Sequence, residues 1–570
     1  MIAAIAGAPH AQVLILGGGI NGIGTFRDLA LQGVDVVLVE RNDFASGASA
    51  ASSHMIHGGL RYLENGEMRL VRQSVHERNR LLELAPHYVK PLRTTIPIFS
   101  TFAGLAAAPW RLVTHRRSRH VGRGAILVKL GLLLYDAFSH AGGTLPRHVF
   151  HGTAATHREL PCLNPAVKYT ATYFDASVQQ PERLALDVLL DGLAAGAHAR
   201  AANYVGAVGA DAGGIRLRDT LSGAVFTISA DLVINATGPW TDLTNALLGE
   251  STRYMGGTKG SHIVLDQPEL LEACAGREIF FENSDGRIVL IYPLRGKVMV
   301  GTTDVNADVR TPARCTDAEI DYFIELVARV FPDIPIDRSR IVYRFSGVRP
   351  LPHHAGVPPG SVSRDWHIVP SNPLALGGTP VLSLVGGKFT TFRAVAEQLG
   401  DEALARLGMQ RKVVTDALPI GGGRDFPMTS VARDAWTIAH GGALGSARVG
   451  KLLARYGTRA AQVIAFLERH GNAPLARTDA FTAGELAFMA CNEYVVHLTD
   501  VLLRRTSVAF DGNVTPAVID DAARVLADAF GWSSERTRAE VADARRVLME
   551  EHGVALGAAG LEPPREIERS

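Results

Sequence analysis

The stretch "AQVLILGGGINGIGTFRDLALQGVDVVLVERND", residues 11–43, decides the fold. Its apolar run "QVLIL" predicts a buried strand, the residues after the glycines have the spacing of a helix, and "DVVLVE" predicts a second strand that ends at Glu40. Gly17, Gly19 and Gly22 give the spacing G-x-G-x-x-G between the first strand and the helix. This order of strand, glycine turn and helix predicts a βαβ unit that binds a dinucleotide.

Each of these positions has a physical reason. Gly17 allows the tight turn, Gly19 lets the backbone approach a pyrophosphate, and Gly22 lets the helix pack close to the strand. The N–H groups at the start of the helix point at the phosphates. Glu40 can accept hydrogen bonds from an adenosine ribose, and an acid there fits the unphosphorylated ribose of FAD or NAD rather than the ribose of NADP.

Two later segments favour FAD over NAD. "ADLVINATGPWTD", residues 230–242, predicts a buried strand that ends in the segment from Ala236 to Gly238. "TPVLSLVGGKFTTFRAVAEQLG", residues 379–400, predicts another strand, a turn at Gly387 and a helix. A second helix N-terminus attracts an anionic group. The electron-rich edge of a flavin is such a group, whereas NAD needs only the first unit, so we expect FAD.

Composition narrows the class of protein. The 570 residues carry a net charge of +1. Hydrophobic residues make up 47% of the chain and charged residues 20%, a composition typical of a soluble globular enzyme. The four cysteines include no C-x-x-C pair, which argues against a zinc ribbon or a disulfide framework and favours a cytoplasmic location. The apolar run from Ala125 to Phe138 contains Lys129 and Asp136 and is shorter than the roughly 20 apolar residues that span a bilayer, so we expect no transmembrane segment.

One segment is strongly basic. From Leu84 to Tyr135 there are eight Lys or Arg residues and no Asp or Glu, and a tryptophan and the start of the apolar run lie within it. This composition is typical of a surface that docks on an anionic membrane. The alternative is a solvated basic loop followed by a core helix. Nucleic acid is not an expected partner, because no nucleic-acid-binding motif accompanies the basic residues.

With these segments in view, the chain resembles the FAD-dependent glycerol-3-phosphate dehydrogenases. The matching segments run in order from Gly17 to Arg393 and include "GGGINGIGTFRDLALQG", "IHGGLRYL", "YFDASVQQPERL", "KGSHIVL", "YPLRGKVMVGTTD", "SGVRPL" and "GGKFTTFR". A further segment, "GELAFMACNEYVVHLTDVLLRRT" at residues 484–506, resembles the helical C-terminal domain of the same family.

The resemblance implies a reaction and a location. The reaction is oxidation of sn-glycerol 3-phosphate to dihydroxyacetone phosphate, with electrons passed from reduced FAD to a membrane quinone, or to oxygen in oxidase members. The location is the inner face of the cytoplasmic membrane, to which the protein would attach peripherally. Whether the protein forms a homodimer is left open. Three alternative functions are also left open: a dehydrogenase of another polyol phosphate such as erythritol 4-phosphate, an amine or amino-acid oxidase, and a scaffold that binds FAD only structurally.

Oxidation of a secondary alcohol at a flavin requires a phosphate clamp that fixes the geometry. The motifs "SGVRPL" and "SRDWHI" supply Arg349 and Arg364, where the family has substrate-binding arginines, and arginine grips phosphate bidentately. Lys388 follows the second glycine turn and can hold substrate or stabilise negative charge on the reduced flavin. The alternative is that these are surface residues, the arginines in ion pairs and the lysine exposed to water.

The reaction also needs a group that takes the hydroxyl proton. His57 and His262 are the candidates, because histidine has an ordinary pKa near neutrality. Either could instead be a structural histidine, and a transfer to solvent assisted by Arg349 is a third route. The residues alone do not decide between these routes. Tyr62 either orients the substrate or packs in the core.

The resemblance places a loop of small residues, "ASGASAASS" at residues 45–53, along the flavin. One departure from the family is His54, where a Lys or Arg is usual. We therefore assign to His54 none of the contacts that the family makes from this position. His54 and His57 have no carboxylate or cysteine partner at ligand spacing, so no metal is expected. The expected cofactor contacts are Gly17, Gly19, Gly22, Glu40, Ser46, Ser52, Ser53, Ala236, Gly238, Gly387, Lys388, Phe389 and Thr390.

The expected fold class is α/β. A Rossmann-like FAD-binding domain is interleaved with a substrate domain built on a mixed or antiparallel sheet, and a C-terminal all-helical domain follows. "GRIVLIYPLRGKVMVGTTD" predicts a hairpin that turns at Arg295 and Gly296. The tail "LEPPREIERS" has the composition of a disordered segment. The expected boundaries are a catalytic part at 1–400, with FAD-binding segments about 10–90, 180–245 and 370–400 and substrate-binding segments about 91–179 and 246–369, and a helical domain at 405–570.

Overall fold

The computed structural model of the chain describes residues 2–60, 62, 67–103, 124–139, 145–283, 287–353, 363–475 and 478–556. Two segments singled out in the sequence lie outside the described residues: positions 104–123 of the basic segment and the C-terminal tail from position 557. The structure therefore tests the basic segment only at its two ends.

The predicted βαβ unit is present. A helix at Ile20–Leu31 follows the first strand, and the second strand lies parallel to the first with all four of its side chains buried. Burial on both faces is the reason that these strands are continuously apolar in the sequence. Along the main path of this sheet the order is His367–Ser371, Val381–Val385, Val225–Asn235, His10–Leu16, Val36–Val39 and Ala199–Ala202. His367–Ser371 is antiparallel to its neighbour, and the other five strands of this path are parallel.

Three helices beside this sheet pack closely against one another because glycines face their partners. A methyl group at Gly24, in the first helix, would lie 2.9 Å from the ring of Phe392, and one at Gly192 would lie 2.9 Å from the ring of Phe26. The absence of a side chain at these two positions lets three helices approach one another. They span Ile20–Leu31, Pro181–Leu193 and Phe392–Arg406.

A second sheet of ten strands carries the rest of the catalytic part. It is antiparallel except where Glu278–Glu282 pairs with Val89–Ile98. The predicted hairpin is confirmed, and its turn residues Arg295 and Gly296 have φ angles of 55° and 77°, as a tight hairpin turn requires. The other strands are Met55–Ile56, Val149–Gly152, Tyr169–Val178, Met255–Leu265, Ile288–Leu294, Lys297–Gly301, Val305–Asn306 and Ile341–Pro352.

Further elements surround the two sheets. A hairpin of Val205–Asp211 and Gly214–Asp219 pairs with the start of the strand Val225–Asn235. The other helices of the catalytic part are Ile2–Ala6, Met68–Leu84, Ala125–Ser139, Thr153–Glu159, Thr241–Leu247, Pro268–Ala273 and Asp317–Val330.

The C-terminal part is helical, as predicted, but it also contains a short hairpin of Pro474–Leu475 and Thr478–Thr482, so the description "all-helical" is corrected. The helix expected through residues 484–506 is also interrupted, because Tyr494 adopts the left-handed backbone conformation, with φ 57°. The α-helices are Ser430–Ala439, Ser446–Tyr456, Ala460–His470, Ala483–Asn492, Leu498–Asp500, Pro516–Phe530 and Ser534–Glu550, and a π-helical turn spans Val501–Arg505.

A buried ion pair joins the C-terminal part to the first βαβ unit. The guanidinium of Arg505 donates two hydrogen bonds, of 2.7 and 2.8 Å, to the carboxylate of Asp43 just after the second strand. Asn203 donates to the same carboxylate at 3.0 Å. Removing one partner of a buried pair leaves an uncompensated charge, so this contact fixes the C-terminal helices against the loop that follows the second strand.

The helix Ala125–Ser139 has two different faces. Leu132 and Tyr135 are buried, whereas four apolar side chains of the same helix are between 43% and 56% exposed: Ile126, Leu130, Leu133 and Leu134. Among the residues that the structure describes, no helix has both the length and the apolarity needed to cross a bilayer.

Candidate active site

One cavity of about 1470 Å³ is lined by residues of both sheets and of the C-terminal helices. It brings together every residue that the sequence pointed to except Gly22, which lies beneath the first glycine turn. The lining includes Gly17, Gly19, Glu40, Ser46, Ser52, Ser53, His57, Tyr62, Ala236, Gly238, His262, Arg349, Arg364, Gly387, Lys388, Phe389 and Thr390.

The first glycine turn is too tight for side chains. A methyl group at Gly17, where φ is 109°, would lie 2.7 Å from the carbonyl oxygen of Ala236. A methyl group at Gly22 would lie 2.0 Å from the carbonyl oxygen of Gly17. The backbone is therefore bare on the cavity side, and a ligand can approach the start of the helix closely.

The carboxylate of Glu40 is held at the end of the second strand. It accepts hydrogen bonds from the N–H groups of Gly18 at 2.7 Å and Asn42 at 2.9 Å. Burial raises the pKa of Glu40. Nearby, the Oγ atom of Ser49 accepts the N–H of Ile20 at 2.9 Å, at the start of the helix. The sequence did not single out Ser49, whose only signal was its place in the loop of small residues.

The second glycine turn meets the first helix. Gly386 and Gly387 have φ angles of 87° and 92°, which residues with a side chain rarely adopt. A methyl group at Gly387 would lie 3.1 Å from Nδ2 of Asn21. The Oδ1 atom of Asn21 is buried and has no hydrogen-bond partner within the described parts of the chain. The two predicted turns thus face one another across the same end of the parallel sheet.

Lys388 follows this turn and points into the cavity. Its Nζ atom is buried without a hydrogen-bond partner among the described residues and lies 4.7 Å from the centre of the Tyr62 ring. Burial, followed by the charge of Arg364, lowers the pKa of Lys388 to about 7. A buried ammonium group without a partner is costly, so an anionic group fits opposite it.

Arg349 is fixed by the ends of neighbouring strands. Its Nη1 donates to Oδ1 of Asp304 at 2.8 Å, and its Nη2 donates to Oγ1 of Thr302 and to the carbonyl of Thr303, both at 2.8 Å. Burial lowers the pKa of Arg349 to about 10, although the Asp304 charge opposes this. Asp304 is a site residue that the sequence analysis missed, although it ends the quoted motif "GTTD".

Arg364 is the third cation of the cavity. In the described part of the chain it has neither a hydrogen bond nor an ion pair. Its backbone segment is anchored, because the next residue, Asp365, forms an ion pair with Arg69. Its positive charge lowers the pKa values of three other residues that line the cavity, so it lies close to all of them: His57, Arg349 and Lys388.

His57 faces the cavity directly. Its backbone N–H donates to Oγ1 of Thr390 at 3.3 Å, and its ring centre lies 5.9 Å from that of Tyr62. Neither ring nitrogen has a hydrogen-bond partner among the described residues. Burial, followed by the charges of Lys388 and Arg364, holds the pKa of His57 well below its ordinary value of 6.5. The imidazole is therefore neutral near pH 7 and able to accept a proton.

His262 also lines the cavity, but one of its ring nitrogens already contacts a protein side chain. Its Nε2 lies 2.9 Å from Oγ of Ser53, its ring stacks on Phe345 with 4.7 Å between centres, and its Nδ1 is buried without a partner among the described residues. Burial, followed by the charge of Arg349, lowers the pKa of His262 to about 3. The two histidines that the sequence left as equal candidates both line the cavity but differ in their hydrogen bonds, because only the His262 ring contacts another polar side chain.

His54, the departure from the family pattern, is buried in the wall of the cavity. It is 5% exposed, its Nδ1 donates to the carbonyl of Val178 at 3.1 Å, and its ring centre lies 5.3 Å from that of Phe510 in the C-terminal part. Burial lowers the pKa of His54 to about 4. It is therefore a neutral packing residue near pH 7 and adds no charge to the cavity.

Within the described residues, one group of side chains has the spacing of a metal site, and it lies outside this cavity: His76, Glu77 and Asp416. Arginines already occupy its carboxylates. Arg393 binds Glu77 at 2.6 Å, and Arg80 binds Asp416 at 3.0 Å. These cations neutralise the acids that a metal ion would need.

The cavity fits a bound FAD. The bare backbone at Gly17 and Gly19 and the start of the helix Ile20–Leu31 match a pyrophosphate, and Glu40 matches a ribose. The buried atoms without partners, Oδ1 of Asn21 and Nζ of Lys388, lie where the second turn meets the first and can receive the polar edge of a flavin.

Comparison with known proteins agrees with this fit. The chain matches the family described as FAD dependent oxidoreductase over residues 12–369, and the C-terminal domain of alpha-glycerophosphate oxidase over residues 413–537. It is 34% identical to glycerol-3-phosphate dehydrogenase of Synechocystis sp. over 551 residues, which cover 92% of this chain and 94% of that protein. The chain belongs to the FAD-dependent glycerol-3-phosphate dehydrogenase family. FAD is the cofactor of this family member.

Two further similarities bear on substrate and fold. This glycerol-3-phosphate dehydrogenase family member is 33% identical to D-erythritol 1-phosphate dehydrogenase of Brucella abortus, over 87% of this chain and 94% of that protein. The glycerol-3-phosphate dehydrogenase of Bacillus halodurans, solved with FAD, superposes with a TM-score of 0.72 at 22% identity and covers 96% of this chain and 97% of that one. The second similarity confirms the predicted fold class.

Proposed function

We propose that the enzyme oxidises sn-glycerol 3-phosphate to dihydroxyacetone phosphate and passes the electrons to a membrane quinone. One observation carries this proposal. Three cationic side chains, Arg349, Arg364 and Lys388, line the same cavity as the dinucleotide motifs, with the neutral His57 beside them. A substrate with a secondary alcohol close to a dianionic phosphate uses all four groups.

The cations act as the phosphate clamp. Arg349 is already oriented by Asp304, so the N–H groups that remain on its guanidinium can bind phosphate without further ordering. Arg349 and Lys388 both have lowered pKa values, caused first by burial and in part by the charge of Arg364. A dianion offsets both the cost of burying these two cations and their repulsion by Arg364. The cavity therefore favours a substrate with a phosphate over one with an uncharged end group.

His57 is the proton acceptor in this proposal. Bound FAD would supply the acceptor for the hydride of the carbinol carbon, and the proton of the hydroxyl on that carbon must then leave to give a carbonyl. A neutral imidazole takes that proton. The nearby charges of Lys388 and Arg364 oppose a positive His57, and the substrate phosphate offsets them, so protonation is easiest when substrate is in place.

The other predicted residues position these groups. Lys388 lies over the face of the Tyr62 ring, which holds the ammonium group by a cation–π contact. The contact between Ser53 and His262 holds the flavin-side loop to the substrate sheet. His262 is therefore a positioning residue for the loop rather than the group that takes the proton.

Docking on the inner face of the cytoplasmic membrane is the second part of the proposal. The exposed apolar face of the helix Ala125–Ser139 supports it, since its four apolar side chains would otherwise contact water. The basic residues that precede this helix in the sequence suit an anionic lipid surface. Such docking would bring the cavity close to a membrane-dissolved acceptor.

A second candidate substrate is another polyol phosphate. The similarity to D-erythritol 1-phosphate dehydrogenase of Brucella abortus favours it, and the three cations would serve any phosphate of this class. Oxygen is the alternative acceptor.

The purified enzyme separates these candidates by its flavin absorbance. We expect anaerobic bleaching with sn-glycerol 3-phosphate, slower or no bleaching with erythritol phosphates and none with glycerol. Re-oxidation should be faster with a quinone analogue and lipid than with oxygen. Bleaching by an erythritol phosphate alone would replace the substrate, and re-oxidation by oxygen alone would replace the acceptor.

A further inference from the structure

We propose that Tyr135 and Asp175 are positioning residues that hold the turn of His57 against the cavity. Neither residue was assigned a role by the sequence. Tyr135 lies on the helix Ala125–Ser139, and Asp175 lies on the strand Tyr169–Val178. The proposal rests on the role of His57 in the proposed function, and its test includes a measurement that needs no substrate.

Asp175 is the centre of the contact. Its Oδ1 atom accepts three hydrogen bonds: from the N–H of Gly58 at 3.0 Å, the hydroxyl of Tyr135 at 2.7 Å and Nη1 of Arg78 at 2.9 Å. The side chains of Arg78 and Asp175 are 0% and 1% exposed. Charge-assisted hydrogen bonds are strong in such an environment, so the amide next to His57 is held tightly.

Shape adds to these hydrogen bonds. A methyl group at Gly58 would lie 2.2 Å from the hydroxyl oxygen of Tyr135 and 2.7 Å from Cγ2 of Val75. The turn therefore rests directly on the Tyr135 hydroxyl, and glycine is the residue that this approach permits. The same hydroxyl is within 2.9 Å of Nη1 of Arg78, which fixes its direction.

His57 is bracketed from both sides as a result. Its own N–H donates to Thr390, in the 3-10 turn Phe389–Thr391 that follows the second glycine turn, and the following N–H donates to Asp175. The first contact is to the segment that connects a strand of the FAD-binding sheet to its helix, and the second is to a strand of the other sheet. Two successive amides held by two different parts of the fold leave the His57 ring little freedom to move relative to the clamp.

Tyr135→Phe is the variant that tests this arrangement. It removes one hydroxyl and keeps the ring, and Arg78 and Asp175 still pair with each other, so the chain keeps its fold. Tyr88→Phe is the matched control, because the buried Tyr88 hydroxyl also donates to a buried carboxylate, at 3.3 Å to Asp187, and does not line the cavity. An Asp175 variant would leave Arg78 buried without its partner and is not used.

Hydrogen exchange of the FAD-loaded full chain gives the first readout. In a peptide that covers the amides of His57 and Gly58, Tyr135→Phe should speed exchange by about 5-fold, the change expected for the loss of one net hydrogen bond. Tyr88→Phe should leave that peptide unchanged. Equal exchange in the two variants would overturn the proposal, whatever the substrate of the enzyme is.

The rate of flavin reduction gives the second readout. Tyr135→Phe should lower the maximal rate with sn-glycerol 3-phosphate by about 5-fold and leave the half-saturating concentration within about twofold, because the phosphate clamp is intact. In a His57→Asn background the same change should have less than a twofold effect. A similar loss in both backgrounds, or no loss in either, would overturn the role assigned to Tyr135. If wild-type flavin is not reduced by this substrate, the proposed function fails separately.

Discussion

The Oγ atom of Ser53 lies 2.9 Å from Nε2 of His262, and this contact separates the two histidines that the sequence offered as proton acceptors. His262 lines the cavity, but its Nε2 contacts the serine hydroxyl and its Nδ1 is buried. Among the described residues, His57 has no hydrogen-bond partner for either ring nitrogen, and it lies beside the cationic clamp. The structure thereby turns an open choice into a test.

The first prediction concerns these histidines. His57→Asn should lower the rate of flavin reduction by about 10²- to 10⁴-fold, the usual contribution of a general base. His262→Asn should cost only about 10-fold, because it disturbs the Ser53 loop without removing the base. Stopped-flow reduction under anaerobic conditions measures both. A larger loss for His262→Asn, with FAD content unchanged, would assign the base to His262.

The second prediction concerns pH. The pKa of Lys388 is lowered to about 7 in the free enzyme, first by burial, so its ammonium form declines as the pH rises through 7. Because the charged form binds phosphate, kcat/KM should fall above about pH 7. Below that range the substrate's own second pKa of about 6 limits activity, and the pKa of His57 lies too low to add an acid limb near 6.5.

Lys388→Arg isolates that pH effect. Arginine stays charged throughout this range, so the variant should keep measurable activity and lose the decline in kcat/KM above pH 7. A pH profile of kcat/KM for wild type and variant, at constant ionic strength, provides the comparison. An unchanged basic limb in the variant would show that a different group titrates there.

The third prediction concerns the clamp. Arg349→Ala should lower kcat/KM by about 10²-fold, since hydrogen bonds to a charged group contribute roughly 1.5–3 kcal/mol. The matched control is Arg338→Ala, which removes an arginine from an exposed ion pair with Asp321. Steady-state kinetics with an artificial acceptor compare the two. Full activity in Arg349→Ala would exclude this residue from the clamp.

The fourth prediction concerns the membrane. Replacing Leu130 and Leu133 together by Asp should abolish flotation of the enzyme with vesicles that contain anionic lipid, and should leave flavin reduction by substrate unchanged. The control replaces Val431 and Ile438, which are 78% and 73% exposed on a helix of the C-terminal part. Equal flotation of both double variants would mean that the helix Ala125–Ser139 does not contact lipid.

The sequence predicts well what depends on local spacing. Gly17, Gly22 and Glu40 follow from one stretch of chain, because turn, helix and strand there are set by neighbouring residues. Arg349 comes from a motif of the family resemblance and Lys388 from its place after the second glycine turn, and both line the cavity. In each case a short motif contains both the residue and its immediate structural context.

What the sequence misses depends on contacts between distant segments. Asp304 is 45 residues from Arg349, and Tyr135 is 40 residues from Asp175, and no local periodicity links either pair. The same holds for Phe510, which lies in a turn of the C-terminal part and lines the cavity beside His54. Such pairings are set by sheet register and domain packing, which one sequence does not display.

The central claim is that a phosphate held by the three cations directs the alcohol to the flavin. The most direct measurement is the second-order rate of anaerobic flavin reduction by sn-glycerol 3-phosphate compared with glycerol. Sites built to bind a polar group reject analogues that lack it by large factors, so we predict a ratio of at least about 10³. Similar rates for the two compounds, or no reduction by the phosphate ester, would contradict the claim.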